Sequence, residues 1–277
     1  MTERLQQAGF SVRGYDIDAE ARQKHAAIAL PIAIDVVRAC RRVILSLPTS
    51  DVVRSVLAEV TSELRRGDII IDTTTGDPDT VAAIGSALAA RGVKYVDATI
   101  AGSSAQVRGG DVIVMLGGEA SAVQACDDLI RAFARRSFHL GPCGAGAKMK
   151  LVVNLVLGLN RAVLAEGISF ARACGIEPAT ALAVLMAGPA FSRVMETKGQ
   201  KMVQRDFEPQ ARLSQHLKDV RLILEGAAKQ GAKTPFSELH RDLLEAIEAA
   251  GFGAEDNAAI LRAFDSEQTQ ETPKITT

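Results

Sequence analysis

The 277-residue sequence predicts an α/β domain with a mainly parallel sheet, followed by an all-α domain. Two observations carry that expectation. From residue 11 to about 142, short β-branched runs alternate with helical stretches, the pattern of strands laid side by side under helices on both faces. After Gly146 no strand pattern remains, and apolar residues recur at the 3.6-residue period of helices. The composition is that of a globular protein: 47% apolar, 23% charged, formal net charge −1. That balance lacks the basic excess of a nucleic-acid binder. No uninterrupted apolar run reaches the roughly 18 residues that span a bilayer, so no membrane partner is expected. The expected domains are residues 1–143 and 144–265, with a polar, disordered tail over 266–277.

Taken in order, Met1 to Ala8 form an amphipathic helix that Gly9 stops, because glycine takes the left-handed cap conformation cheaply. Ser11 to Tyr15 follow as a short strand ending at Asp16. The further strands are "RVILSLP", "DIIIDTT", "KYVDATI", "VIVMLGG" and "SFHLG", several of them nearly continuous in β-branched residues, as in strands buried on both faces. The helices between them are "DAEARQKHAAIA", "SDVVRSVLAEVTSELRRG", "DPDTVAAIGSALAARG" and "EASAVQACDDLIRAFARR". From about Ala147 to Cys174 one long helix is apolar almost all round, which places it between two domains or in an oligomer core. Five shorter helices follow, opening at "EPATALAV", "SRVMETKG", "LSQHLKDV", "PFSELHRD" and "EDNAAILR". Cys40, Cys126, Cys143 and Cys174 form no CxxC pair, so free thiols in a reducing cytoplasm are expected. No histidine pair has metal-ligand spacing, and no metal is expected. The polar N-terminus lacks the apolar segment of a signal peptide.

A helix feeding a strand that ends in an acid is the second half of a βαβ unit. In a dinucleotide-binding unit that acid follows the glycine-rich turn by roughly 20 residues. Counting back from Asp16 passes Met1, so the first strand and its Gly-x-Gly-x-x-Gly turn are expected to be missing. Asp16 reads either as the ribose-binding acid or as a strand-end turn residue. In the first role it favours NAD over NADP, because a carboxylate repels a 2′-phosphate; Arg13 and Arg22 nearby moderate that preference.

The stretch richest in chemistry is "GPCGAGAKMKLVVN". Lys150 and Asn154, four residues apart, share one helix face, and Gly158 leaves that face open for a ligand. A lysine that moves protons at neutral pH needs its pKa lowered from about 10.4 toward 7–8, by burial and by the positive end of a helix. The bland alternative is a solvated lysine near a helix start. In "DATIAGSSAQVRGG", Gly102, Ser103 and Ser104 follow a strand, where N–H and hydroxyl groups suit a carboxylate; an ordinary Gly/Ser turn reads equally. Leu47 and Pro48 end another strand, with Ser50 or Asp51 as the next helix cap, and a cofactor could cross that edge. Lys218 and Asp219 on "LKDVRL" are either a solvated helix face or part of a site.

Together these blocks resemble the β-hydroxyacid dehydrogenases, the 3-hydroxyisobutyrate dehydrogenase-like family related to 6-phosphogluconate dehydrogenase. The resemblance covers nearly the whole chain, through "LP", "DTTTGDP", "DATIAGSSAQVRGG", "LKDVRL" and "GFGAEDNAAIL". The family pattern G-x-G-x-x-x-K-x-x-x-N falls on Gly144, Gly146, Lys150 and Asn154. It implies a Rossmann-type N-terminal domain, a long interdomain helix and a helical C-terminal domain. It also implies reversible NAD(P)-dependent oxidation of a small 3-hydroxy acid to its semialdehyde or keto product. Lys150 would be the general acid/base and Asn154 would orient the substrate. Lys218 would reach both cofactor and substrate, and Asp16, Leu47, Pro48 and Thr75 would line the nucleotide path. NAD is the preferred cofactor, NADP the alternative. The family and the apolar long helix imply a homodimer or homotetramer. One departure is Ala101, which stands where the family's substrate loop carries a serine; Ser103 or Ser104 would substitute. The runner-up function is a truncated or degenerate member acting as an oligomeric binding or scaffold protein. A reductase of imines on the same scaffold ranks lower, since those relatives generally lack the lysine.

Overall fold

The computed structural model describes residues 1–265, and the chain divides into two compact units between Lys150 and Leu151. The first unit contains, in chain order, α1 (Thr2–Gln7), α2 (Ala19–Lys24), α3 (Ala33–Ala39), β1 (Arg42–Leu45), α4 (Ser50–Val60), β2 (Ile69–Asp72) and α5 (Pro78–Ala89). It continues with β3 (Lys94–Ala101), α6 (Ser104–Gly109), β4 (Ile113–Gly117), α7 (Ala120–Gln124), α8 (Asp127–Phe133) and β5 (Arg136–His139). The five strands lie in the order β1-β2-β3-β4-β5. All neighbours are parallel except β3 and β4. That reversal follows from the connection between them: α6 has six residues, too short for the crossover that a parallel return requires.

The period-2 alternation of a strand explains how β2 serves two cores. Ile70 packs with Val53, Leu57, Val81, Ile84 and Leu88 of α4 and α5. Ile69 and Ile71 point the other way, against Leu5 of α1 and Ile130 and Phe133 of α8. Gly9, at φ +87°, ends the first helix as expected. Three local expectations are corrected. Ser11–Tyr15 is not a laddered strand: it makes one isolated parallel bridge, Gly14 to Ala29. With glycine at that bridge there is no side chain to pack across the pair. The cap of α4 is neither Ser50 nor Asp51 but Thr49, whose hydroxyl accepts from Val52 N. The single helix expected over "EASAVQACDDLIRAFARR" is two, α7 and α8, broken at Ala125–Cys126.

α9 (Ala145–Ala173) starts in the first unit and runs on into the second. The second unit adds α10 (Pro178–Ala187), a π-helical turn (Met195–Gly199) continuing into α11 (Gln200–Gln204), α12 (Leu213–Gln230) and α13 (Pro235–Ile247). A second π-helical turn (Glu248–Phe252) and a 3-10 segment (Asn257–Phe264) follow. Its core joins Leu164, Ile168, Met202, Leu217, Leu244 and Leu261. Averaged over 18 residues, α9 is long and apolar enough to cross a membrane, which counting uninterrupted apolar residues does not register. Its inner face instead contributes Ala162, Leu164, Ala165 and Ile168 to the helical core. The opposite face leaves Val152, Val156, Val163 and Phe170 exposed. The helical unit also closes around a buried ion pair: Lys198 Nζ lies 2.7 Å and 2.8 Å from the two Asp256 oxygens. Asp256 accepts as well from the N–H groups of Gln210, Ala211 and Ala258. The tail expected over 266–277 lies outside the described residues.

Candidate active site

In the first unit the loops after β1 and β2 are stitched together. Leu47 N donates to Thr74 Oγ1 (3.1 Å) and Asp77 N to Ser50 Oγ (3.0 Å). Leu47 and Thr75 are half-buried on this edge and Pro48 is exposed. Beneath it Asp72 accepts from Thr74 N and from the Tyr95 hydroxyl. Burial pushes Asp72 above the usual carboxylate range and, with the Asp72 charge beside it, pushes the Tyr95 phenol up as well.

The start of α9 is clamped to β3. Asp97, 1% exposed, accepts from Gly144 N (3.0 Å) through one oxygen and Ala147 N (2.8 Å) through the other. Thr99 Oγ1 donates to Gly146 O at 3.0 Å. The approach is close enough that a Cβ at Gly146 would stand 2.5 Å from Met115 O and 2.7 Å from Asp97 Oδ2. Burial raises the Asp97 pKa, and the Ala147 and Gly144 N–H groups oppose the rise. Burial and the Asp97 and Asp72 charges push the neighbouring Cys143 thiol up to about 12.

Lys150 is half-buried, and its Nζ donates to Ile100 O at 2.7 Å. This ties it to the strand end that leads into Gly102, Ser103 and Ser104. Gly102 sits at φ +149°, and a Cβ there would meet Val112 Cγ1 at 2.5 Å. Ser103 is committed to α6 by a capping box: its Oγ accepts from Gln106 N (3.2 Å), and its N donates to Gln106 Oε1 (2.9 Å). Ser104 is exposed. A polar cavity of about 390 Å³ lies over the carboxyl ends of β1, β2 and β3, where open α/β sheets bind ligands. Thr2, Ser46, Thr73, Gly102, Ser104 and Arg108 are among its walls. Asp16 stands apart from that cavity. It is exposed, and its Oδ1 closes a turn onto Asp18 N at 2.9 Å.

In the second unit Asn154 and Lys218 are joined through Asp219. Asn154 Nδ2 donates to Asp219 Oδ2 at 2.9 Å, and Lys218 Nζ lies 3.1 Å from Asp219 Oδ1. Asn154 and Asp219 are each 8% exposed, so the solvated-face reading of Asp219 is corrected. So is the expectation that Gly158 leaves room for a ligand. A Cβ there would stand 2.5 Å from His216 Nε2 and 2.8 Å from His240 Cε1. The two imidazoles, 5.2 Å apart between centroids, fill that space. Burial, then the Arg161 guanidinium, lowers the His240 pKa to about 4. Arg161 is itself lowered to about 10 by burial, which the Asp256 and Asp219 charges partly offset. Sequence reasoning passed over Arg161, His216 and His240. A signal was present: His216 falls on the buried stripe Leu213, Leu217, Val220 and Ile223, and His240 on the stripe Leu244 and Ile247.

Residues 1–141 match the family model described as the NAD binding domain of 6-phosphogluconate dehydrogenase. Residues 144–264 match the model described as NAD-binding of NADP-dependent 3-hydroxyisobutyrate dehydrogenase. The chain is 27% identical over 224 residues to 2-(hydroxymethyl)glutarate dehydrogenase of Eubacterium barkeri, covering 79% of this chain and 74% of that protein. It is 28% identical over 201 residues to human cytokine-like nuclear factor N-PAC, covering 73% of this chain but only 36% of N-PAC. The fold matches a crystal structure of 3-hydroxyisobutyrate dehydrogenase from Salmonella typhimurium with a TM-score of 0.87, at 23% identity, over 94% of this chain and 93% of that one. Both halves of the molecule thus carry the same kinship, and the chain belongs to the β-hydroxyacid dehydrogenase family, whose members bind NAD or NADP.

Proposed function

We propose that the chain oxidises a small 3-hydroxy acid to its semialdehyde or keto product with NAD(P), Lys150 being the general acid/base. The observation that carries this reading is the Lys150 Nζ to Ile100 O hydrogen bond, which holds the amine beside the Gly102–Ser104 turn. The polar cavity over the strand ends carries both Arg108 and Glu3 in its wall, and on this reading Arg108 faces the phosphate groups of a nicotinamide dinucleotide. When bound, the nicotinamide supplies the hydride acceptor. The chain's own residues do the rest. As the hydride leaves the hydroxyl-bearing carbon, Lys150, as the free amine, takes the hydroxyl proton; Ile100 O fixes the direction of the nitrogen by accepting one of its N–H bonds. The Gly102–Ser104 turn holds the substrate carboxylate. Ser104 is the better replacement for the family serine missing at Ala101, because the Ser103 oxygen already caps α6. Asn154 orients the substrate, and Lys218 contacts substrate and cofactor. Leu47, Pro48 and Thr75 line the nucleotide path. Asp16 meets the ribose and favours NAD, provided its turn onto Asp18 opens.

The substrate is a small molecule, and the functional unit is a homodimer or homotetramer, supported by the exposed Val152, Val156, Val163 and Phe170 on α9. Four free thiols fit a cytoplasmic setting. The test is formation of NADH or NADPH against a panel of 3-hydroxy acids that includes 3-hydroxyisobutyrate and 2-(hydroxymethyl)glutarate. Lys150→Ala should lower turnover at least ~100-fold, within the usual range for lost acid/base catalysis. Turnover of Lys150→Ala near that of the wild type removes Lys150 from the chemistry. A second reading, an oligomeric binding protein without turnover, draws on the N-PAC relationship. It becomes the preferred one if no acid in the panel reduces either cofactor while the protein remains folded.

A further inference from the structure

We infer that Asp219 is a positioning residue that fixes the Asn154 amide with its carbonyl oxygen turned toward the ligand. The inference deepens the proposed function and rests on it for the nature of that ligand. A carboxylate can only accept hydrogen bonds. Asp219 Oδ2, 2.9 Å from the Asn154 side chain, therefore selects the NH₂ end of the amide and turns Oδ1 away. Two cations stand beside Asp219, the Lys218 ammonium at 3.1 Å and the buried Arg161 guanidinium, whose pairing with Asp219 is electrostatic. Among the described residues no group donates to Asn154 Oδ1, although Asn154 is 8% exposed. A nearly buried amide with one end anchored and the other open is arranged for an incoming donor. The ligand group that fits is a hydroxyl or an ammonium; a second carboxylate is excluded, since it would meet an acceptor. The same carboxylate holds the Lys218 ammonium, so Asp219 sets two of the groups proposed to meet the substrate while touching neither substrate nor cofactor itself.

The experiment has two readouts, one independent of activity. In the wild-type protein the Asn154 side-chain NH₂ resonances, assigned by their loss in Asn154→Ala, should exchange slowly with solvent. Asp219→Leu, which keeps much of the volume but has no acceptor, and Asp219→Ala should make them exchange fast, with the melting temperature and the spectrum of the remaining amides showing that each variant is folded. Unchanged protection in either folded variant overturns the inference. The second readout is a double-mutant cycle on kcat/KM, using the panel acid turned over fastest. Asp219→Leu should cost about 30-fold in the wild-type background, the factor carried by losing a hydrogen bond to a charged acceptor. In the Asn154→Ala background it should cost at least about threefold less than that, because the share carried through Asn154 is already gone and only the share carried through Lys218 remains. Equal losses in both backgrounds overturn the inference. If the wild type turns over no acid, the dehydrogenase reading fails, and the exchange measurement alone decides the role of Asp219.

Discussion

Acidification should loosen the helical unit through a single imidazole. His240 is 3% exposed, and burial together with Arg161 lowers its pKa from 6.5 to about 4. In the unfolded chain it titrates near 6.5. Between those two values the unfolded state binds more protons than the folded one, so stability rises with pH across the window and is lost as pH falls from about 6.5 toward about 4. The difference of ~2.5 pKa units corresponds to about 3 kcal/mol at the acid end, of which about 2 kcal/mol is already lost at pH 5. That is a large part of the ~5–15 kcal/mol by which domains are stable. Proton NMR of the four histidine Cε1–H signals, assigned by substitution, should show the His240 signal still neutral at pH 5. Urea unfolding at pH 7.5 and pH 5.0 should show the wild type losing about 2 kcal/mol more than His240→Gln between the two. A His240 signal titrating between pH 6 and 7, or equal losses in the two proteins, refutes the reasoning.

Other substitutions probe the packing directly. Gly158→Ala places a methyl group where His216 and His240 stand. The overpacking cost of about 1–3 kcal/mol should exceed the ~1 kcal/mol gained in helix propensity, so the melting temperature should fall; a rise would show the space to be open. Lys198→Met leaves the Asp256 charge buried without its ammonium and should cost about 3 kcal/mol, the low end for a broken buried pair, because three backbone N–H donors remain on Asp256. A loss below about 1 kcal/mol in denaturant titrations would mean those donors suffice. Iodoacetamide at pH 8 should alkylate the exposed Cys174 and spare Cys143 and Cys126, whose thiols burial pushes up to about 12 and about 11. Peptide mapping showing Cys143 modified first would contradict its enclosure.

The parts of this molecule that could be read in the sequence are those fixed by short-range pattern. The β2 run "IIID" announced a strand buried on both faces, and the break in periodicity after Gly146 announced the helical half. Lys150 and Asn154 stood out through their spacing on one helix. What escaped was decided by groups distant in sequence. Asp219 falls on the buried stripe of α12, but the partner that makes an acid tolerable there, Asn154, lies 65 positions earlier. Gly158 read as open because helix periodicity cannot show that imidazoles from α12 and α13 fill the space above it. Ser103 looked like a ligand group until Gln106 completed its capping box, although the Ser-x-x-Gln spacing was there to be seen. The segment around Gly14 had the composition of a strand, but a strand also needs neighbours.

The anchorage of the lysine on the sheet has a practical corollary for redesign. The amine is located by Asp97, Thr99 and Ile100, all upstream of the turn at Gly102–Ser104. Under the proposed function, Ser104, which is exposed and outside the Ser103 capping box, is the turn residue to exchange in order to change which acid is accepted while the amine stays in place. On that proposal, selectivity and the chemical step fall on separate stretches of one strand and its loop.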